Sequence, residues 1–220
     1  MNRAAQHERV ILLGRAQRAA AVEALANAFH EDPMWSFVLP DTETRTAAYR
    51  PMWRAVLGFS HVYGTVHTTV GGEGAACWIA PENRKTTLWK LLRTGFALPR
   101  SMIRLPKDAR ERFFGMMQFI DRRHDELMPE RHWYLMALGV APERQGQGIG
   151  GRLLEPTLDR ADADDVACYL ETQTEANVMF YTKHDFDVIC EEREPVGALP
   201  LWFMVRPPRP SSGQEAGRSL

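Results

Sequence analysis

Pro142-Glu143-Arg144-Gln145-Gly146-Gln147-Gly148-Ile149-Gly150-Gly151 is the stretch that decides how this chain is read. Gly146, Gly148, Gly150 and Gly151 place four glycines within six residues. That exceeds what one tight turn needs, and each glycine gives up more backbone freedom on folding than any other residue. Residues 133–140 before the turn are apolar, Leu153, Leu154 and Leu158 line one face of a helix over 148–161, and 167–171 is apolar again. Strand, turn, helix and strand make a β-α-β crossover, which joins parallel strands. With no Cβ atoms at the helix start, successive N–H groups and the positive helix end converge on one point, a cradle for a diphosphate.

Two ligand classes use such a cradle. Gly146, Gly148 and Gly151 satisfy G-x-G-x-x-G, with Glu171 about 20 residues on, as a dinucleotide site requires. In a dinucleotide fold, however, the first glycine follows its strand almost directly and further β-α units come after it. Here the polar link 141–145 intervenes, and too little chain remains for a second mononucleotide-binding half. The dinucleotide reading therefore ranks second.

The same segment fits Q-x-x-G-x-G through Gln145, Gly148 and Gly150, after Leu138-Gly139-Val140 and Pro142, and ahead of Asn177-Val178-Met179-Phe180-Tyr181. On these residues the chain resembles the GNAT superfamily of N-acetyltransferases. Residues 28–33, Ala76-Cys77-Trp78 before Pro81-Glu82, 133–145, 169–172 and 177–186 extend the resemblance to the puromycin N-acetyltransferase-like group, closely in the C-terminal half and loosely in the middle helices. The resemblance implies an α/β (α+β) fold, with a mixed, mostly antiparallel sheet, flanking helices and a crossover that binds acetyl-CoA as co-substrate.

It further implies that main-chain N–H groups of Gly146, Gln147, Gly148, Ile149, Gly150 and Gly151 hold the pyrophosphate behind Gln145. Leu138 and Val140 would pair with the pantetheine arm like an added strand, and Gly139 would mark a bulge. Asn177 would bond the arm, with Phe180 in the same cofactor-binding set, and Tyr181 would protonate the departing thiolate. A phenol suits that step, because its pKa of about 10 keeps it protonated while the conjugate acid of the thiolate lies near about 8.5. The family pattern has glycine where Asp185 stands, at a helix end that needs positive φ, a conformation aspartate tolerates.

The mechanism this implies is direct attack of a primary amine on the thioester, with the Val140 N–H polarising the carbonyl oxygen. Such an amine, with a pKa of about 10.4, is mostly protonated at neutral pH and needs a base. Glu171, at the carboxyl end of its strand, is the candidate; Asp32, Glu31 and His30 are the alternatives. For the acceptor, Phe29, Trp35, Tyr49 and Trp78 offer apolar walls, with Asp32 beside them. The favoured acceptor is a small-molecule amine, antibiotic-like or a metabolite. A protein lysine or N-terminus, or a module that binds acyl-CoA without transfer, are the rival readings.

The remaining sequence sets bounds. The chain has 220 residues, 45% of them hydrophobic, enough for one domain over 1–206 with a tail from Pro207, rich in proline, glycine and serine, that should be disordered. A net charge of −1 without basic runs argues against nucleic acid. Cys77, Cys168 and Cys190 lie far apart in apolar stretches, which reads as buried reduced thiols, no metal and a cytoplasmic protein; a monomer or homodimer is expected. The apolar run 10–13 is too short for a secretory signal core, and no run of about 18 apolar residues offers a membrane span.

Upstream, 8–13 reads as a strand and 20–29 as a helix closed by Asp32-Pro33. Residues 35–39 should follow as an irregular aromatic wall, and 44–59 as a helix that Pro51 either kinks or begins. Residues 64–70 and 75–80 read as a hairpin across Gly71-Gly72-Glu73-Gly74, and 86–128 as helices broken near Pro99 and Pro106, with a Met and Phe stripe. After the crossover come a short helix, 177–183, and strands at 186–190 and 201–205.

Overall fold

A computed structural model of the chain describes residues 9–83, 94 and 97–209. Among the described residues seven strands, β1 (Val10–Leu12), β2 (Gly64–Thr69), β3 (Gly74–Ile79), β4 (His132–Val140), β5 (Ala167–Thr172), β6 (Asp187–Arg193) and β7 (Pro200–Arg206), form one sheet in the order β1-β2-β3-β4-β5-β7-β6. Every neighbouring pair is antiparallel except β4 and β5, which the crossover helix α6 (Ile149–Ala163) makes parallel. This is the α/β, mostly antiparallel mixed sheet that the resemblance implies.

Helices α1 (Arg18–Ala28), α2 (Pro33–Val38), α3 (Thr42–Tyr63) and α5 (Lys107–Leu127) contribute apolar residues to one cluster with Cys77, Ala137 and Tyr169 of the sheet, and Phe59 and Tyr63 at the end of α3 pack separately with Ile79. Helix α6 packs on the other face, its Leu153, Leu154 and Leu158 joining Trp78, Leu135 and Leu170. Because strand side chains alternate between faces, Tyr169 and Leu170 fall in different cores. At the far end of α6, Asp162 accepts two hydrogen bonds of 2.7 Å from the buried Arg206 guanidinium, fixing β7 to the crossover.

Several elements differ from the sequence reading. Residues 33–38 are helical rather than irregular: the Asp32 carboxylate caps α2 by accepting from the Trp35 N–H at 3.2 Å, and Pro33 occupies the first turn, where its missing N–H costs nothing. Pro51 lies inside α3, which starts earlier, after Asp41 accepts from the Thr44 N–H. Pro99 sits in the first turn of α4 (Ala97–Ile103), and the part of the 86–128 prediction before it, except Thr94, is outside the described residues. Cys190 is half-buried, its Sγ 3.3 Å from Glu192 Oε1, whereas burial pushes the Cys77 and Cys168 thiols up to about 12. Of the predicted tail, Arg209 is tied to the domain through its N–H to Asp162 at 2.8 Å, and 210–220 lie outside the described residues. No helix among the described residues is long and apolar enough to cross a membrane.

The bulge expected at Gly139 is elsewhere. Cys77 pairs with Ala137 and Trp78 with Leu135, so the extra residue is Met136, while Gly139 pairs regularly with Ala75. Gly139 is needed for packing: a Cβ there would stand 2.9 Å from Leu25, 3.0 Å from Phe29 and 3.1 Å from Ala28. Gly139→Val is therefore expected to wedge α1 off the sheet and lower stability by about 1–3 kcal/mol in urea titration, the usual cost of overpacking.

Candidate active site

The four glycines of the turn divide into two pairs. Gly146 and Gly148 hold left-handed φ of +74° and +72°, and a Cβ at Gly146 would meet nothing within 4 Å, so this side of the turn lies open. Gly148 stands at the N-cap of α6 with no side chain capping the helix and no acidic residue in the first turn. Its leading N–H groups and positive dipole end are thus presented to an anion. Gly150 and Gly151 serve close approach: Cβ atoms there would come 3.2 Å from Phe180 and 2.8 Å from His184.

The Gln145 and Gln147 side chains turn back on the chain. Gln145 Nε2 donates to the Val140 carbonyl at 3.0 Å, and Gln147 Nε2 to the Glu143 carbonyl at 3.5 Å. Arg152, in the first turn of α6, donates to the Gln147 carbonyl at 3.1 Å, which adds positive charge beside the cradle. Ile149 is buried and anchors the helix start. The glutamines shape the turn, so what they can offer a ligand is their main-chain N–H.

Next to the cradle the sheet splits. β4 and β5 pair only from His132 to Tyr134 against Ala167 to Tyr169, and beyond that point the described strands separate. The Ala141 N–H donates to the Glu73 carbonyl at 2.9 Å, so by the alternation of an antiparallel ladder the main-chain groups of Val140 and Leu138 point away from β3, into the gap. Gln145 takes up the Val140 carbonyl, which leaves the Val140 N–H and both Leu138 groups along an open strand edge.

Helix α7 (Glu175–Thr182) closes one side of this gap. Thr174 caps it by accepting from the Asn177 N–H, and Asn177 Nδ2 donates to Thr172 Oγ1 at 3.0 Å, tying the helix to the end of β5. Phe180 lies over Gly150, in an apolar cleft of about 490 Å³ shared with Ala176, Val178 and Met179. Tyr181 is 8% exposed among Val140, Leu170 and Phe186, and burial raises its phenol above the usual range, so it stays protonated. Asp185 holds φ +63° just past this helix, with its carboxylate on Arg209.

Glu171 stands on the opposite face of the sheet, its side chain 6% exposed. Burial pushes its carboxyl up to about 8, against the pull of the Tyr134 and Tyr169 phenols, and Asp121 adds a further upward push. His124 Nδ1 lies 3.5 Å from Glu171 Oε1. Tyr134, Tyr169, His124 and Asp121 come from β4, β5 and α5, so no local spacing in the sequence announces them. An open cleft of about 450 Å³ on α5, lined by Phe114, Gly115, Met117, Gln118 and Asp121, lies on this side.

The predicted acceptor residues do not form one pocket. Trp78 is wholly buried in the α6 core, and Trp35 is buried, stacked on Phe113 at 5.6 Å; each is core because its strand or helix face turns inward. Phe29, half-buried, packs on Trp53 at 4.5 Å and over Gly139, beside the gap. Asp32 is occupied as the α2 cap, though burial raises its carboxyl to about 6. Tyr49 donates to the Phe29 carbonyl at 2.7 Å. His30 pairs with Glu31 at 2.6 Å on the exterior. Among the described residues no group of three or more His, Cys, Asp or Glu is placed to hold a metal ion.

Comparison with known proteins fits this geometry. The profile of the acetyltransferase (GNAT) family matches residues 75–186, from β3 through the crossover and α7 to the start of β6. An uncharacterized N-acetyltransferase of Schizosaccharomyces pombe is 26% identical over 207 residues, covering 89% of this chain and 81% of the relative. Among solved structures, a Corynebacterium glutamicum protein described as histone acetyltransferase HPA2 and related acetyltransferase superposes with a TM-score of 0.61 at 20% identity, covering 92% of this chain and 97% of the other. Arylalkylamine N-acetyltransferase 2 of Aedes aegypti gives 0.60 at 11% identity over 91% and 99%. These two show a shared fold. With more than half its length matched by the family profile, the chain belongs to the GNAT acetyltransferase family and is an acyltransferase.

Proposed function

We propose that this enzyme moves an acetyl group from acetyl-CoA to a primary amine of a small molecule, an antibiotic-like compound or a metabolite, by direct attack. The observation that carries the reading is the pairing of an open, left-handed glycine turn at a helix N-terminus with a sheet that parts beside it. The turn suits a diphosphate and the strand edge suits an amide-bearing arm. Acetyl-CoA supplies an activated acyl group as its thioester. Main-chain N–H groups of residues 146–151 would hold its diphosphate, and Leu138 and Val140 would align its arm.

In this reading the reaction straddles the sheet. Tyr181 reaches the gap from the α6 and α7 face and holds the proton that the leaving sulfur needs; Glu171 reaches it from the α5 face and removes the proton of the amine. The Val140 N–H, turned into the gap, is placed to steady charge on the carbonyl oxygen. The α5 cleft leads the acceptor in, and Asp121 on its wall attracts a cationic amine. The apolar cleft on α7, the mixed cleft on α5 and three free cysteines agree with a small-molecule enzyme of the cytoplasm, akin to the puromycin N-acetyltransferase-like group.

Mixing the protein with acetyl-CoA and a panel of primary amines and peptides, and following released thiol, tests the reading. Thiol release with a small amine and not with peptides supports it; release with peptides alone favours a protein acceptor. Glu171→Gln is expected to lower turnover about 10²- to 10⁴-fold. A carboxyl with a raised pKa is protonated, and so lost as a base, as pH falls below its own value; activity should therefore rise with pH through the titration of Glu171. A rate independent of pH from 6 to 9 (about the range in which such a base titrates) would remove Glu171 from the role.

A further inference from the structure

Behind Glu171 stand two buried imidazoles that the reaction above does not use. His124 of α5 and His132 of β4 meet Nε2 to Nε2 at 2.7 Å, so one of these nitrogens carries a hydrogen and the other accepts it. His132 Nδ1 lies 2.7 Å from the Glu130 carbonyl oxygen, which only accepts, so Nδ1 bears a proton. The Nε2 of neutral His132 is then the acceptor, and His124 supplies Nε2–H. In its neutral form His124 therefore has a bare Nδ1, and this is the atom that faces Glu171 Oε1 at 3.5 Å. A bare nitrogen against a bare carboxylate oxygen is repulsive, and one proton between them removes the conflict. Either the carboxyl O–H faces a neutral ring, or a carboxylate faces an imidazolium.

We infer that His124 is the proton partner of Glu171 and that His132 is a positioning residue, which fixes the tautomer of His124 through the Glu130 carbonyl. The inference rests on Glu171 as the base. In the active pair this one proton sits on His124 Nδ1, so the carboxylate faces an imidazolium; when the amine N–H bond breaks, its proton goes to Glu171, and the ring keeps its own. The geometry is held by neighbouring rings, Tyr169 stacked on His124 at 4.2 Å and Tyr134 at 4.8 Å. Among the described residues, the groups that bear on this titration include Tyr134 and His132 from β4, Tyr169 from β5, and His124 and Asp121 from α5, with Asp125 acting on Asp121 and Arg123 on Tyr169. The β7 neighbour of Glu171 is Phe203, which does not titrate.

Nitrogen NMR of the histidine-labelled whole chain, without substrates, reads this directly. In the wild type His124 Nδ1 should titrate together with Glu171, and Glu171→Gln should lower the pH at which His124 loses its proton by at least about one unit. In kinetics, His124→Gln should move the acid limb of kcat/KM up by about 1–3 pH units, because the buried carboxylate loses its cationic partner. His132→Leu should move it in the same direction, and His132→Gln, whose amide oxygen can accept from His124 Nε2–H, should restore it. Identical His124 titrations in wild type and Glu171→Gln, or an acid limb unmoved in both His124→Gln and His132→Leu, overturn the inference. Should Glu171→Gln keep full turnover while the NMR coupling is present, the base assignment fails and the proton pair stands.

Discussion

Gly148→Asp is expected to abolish coenzyme A binding in calorimetric titration, while Gly148→Asn weakens it far less. Residue 148 holds φ +72°, a conformation that Asp and Asn both tolerate better than most residues. The new Cβ would lie 3.4 Å from Arg152 Nη1, ordinary contact, so both variants should fold with melting temperatures close to each other. What separates them is one negative charge where the diphosphate would sit. At about 4 Å and the effective dielectric of a protein surface, like charges repel by about 4 kcal/mol, or about 10³-fold in affinity. The aspartate would also draw the Arg152 guanidinium to itself. Equal affinity in the Asp and Asn variants would move the anion away from the turn.

Tyr181→Phe is expected to lower turnover about 10²- to 10⁴-fold with little change in coenzyme A affinity. The ring packs among Val140, Leu170 and Phe186, and phenylalanine preserves that packing, so the fold should not respond. Only the hydroxyl is lost. Burial holds this phenol protonated across the working range, which suits a donor and bars it from acting as the base. The loss should therefore be nearly constant with pH, unlike that of Glu171→Gln. A Tyr181→Phe enzyme with unchanged turnover would leave the sulfur to be protonated by water or another group.

The crossover was legible because its signals are local: a glycine cluster between an apolar strand and a helix with Leu153, Leu154 and Leu158 on one face. The Asn177 to Tyr181 segment is read the same way, as a short helix after a strand. Residues 33–38 read as irregular because Asp32-Pro33 is a stop signal for the helix before it, although an Asp cap followed by proline is equally a start signal. Gly139 shows the limit of motif reading, since its reason lies in α1, more than a hundred residues away in the chain. The setting of Glu171 was invisible for the same reason: His124, Tyr134 and Tyr169 meet only when α5 docks across β4 and β5. Trp35 and Trp78 look like pocket aromatics in sequence, and only the inward faces of α2 and β3 show them to be core.

A crystal structure of the chain with coenzyme A tests the central claim most directly. The diphosphate is predicted within hydrogen-bonding distance of main-chain nitrogens between residues 146 and 151, with the pantetheine arm along Leu138 and Val140 and the sulfur between Tyr181 and Glu171. Coenzyme A seated elsewhere, with that turn bare and the gap between β4 and β5 empty, would contradict it.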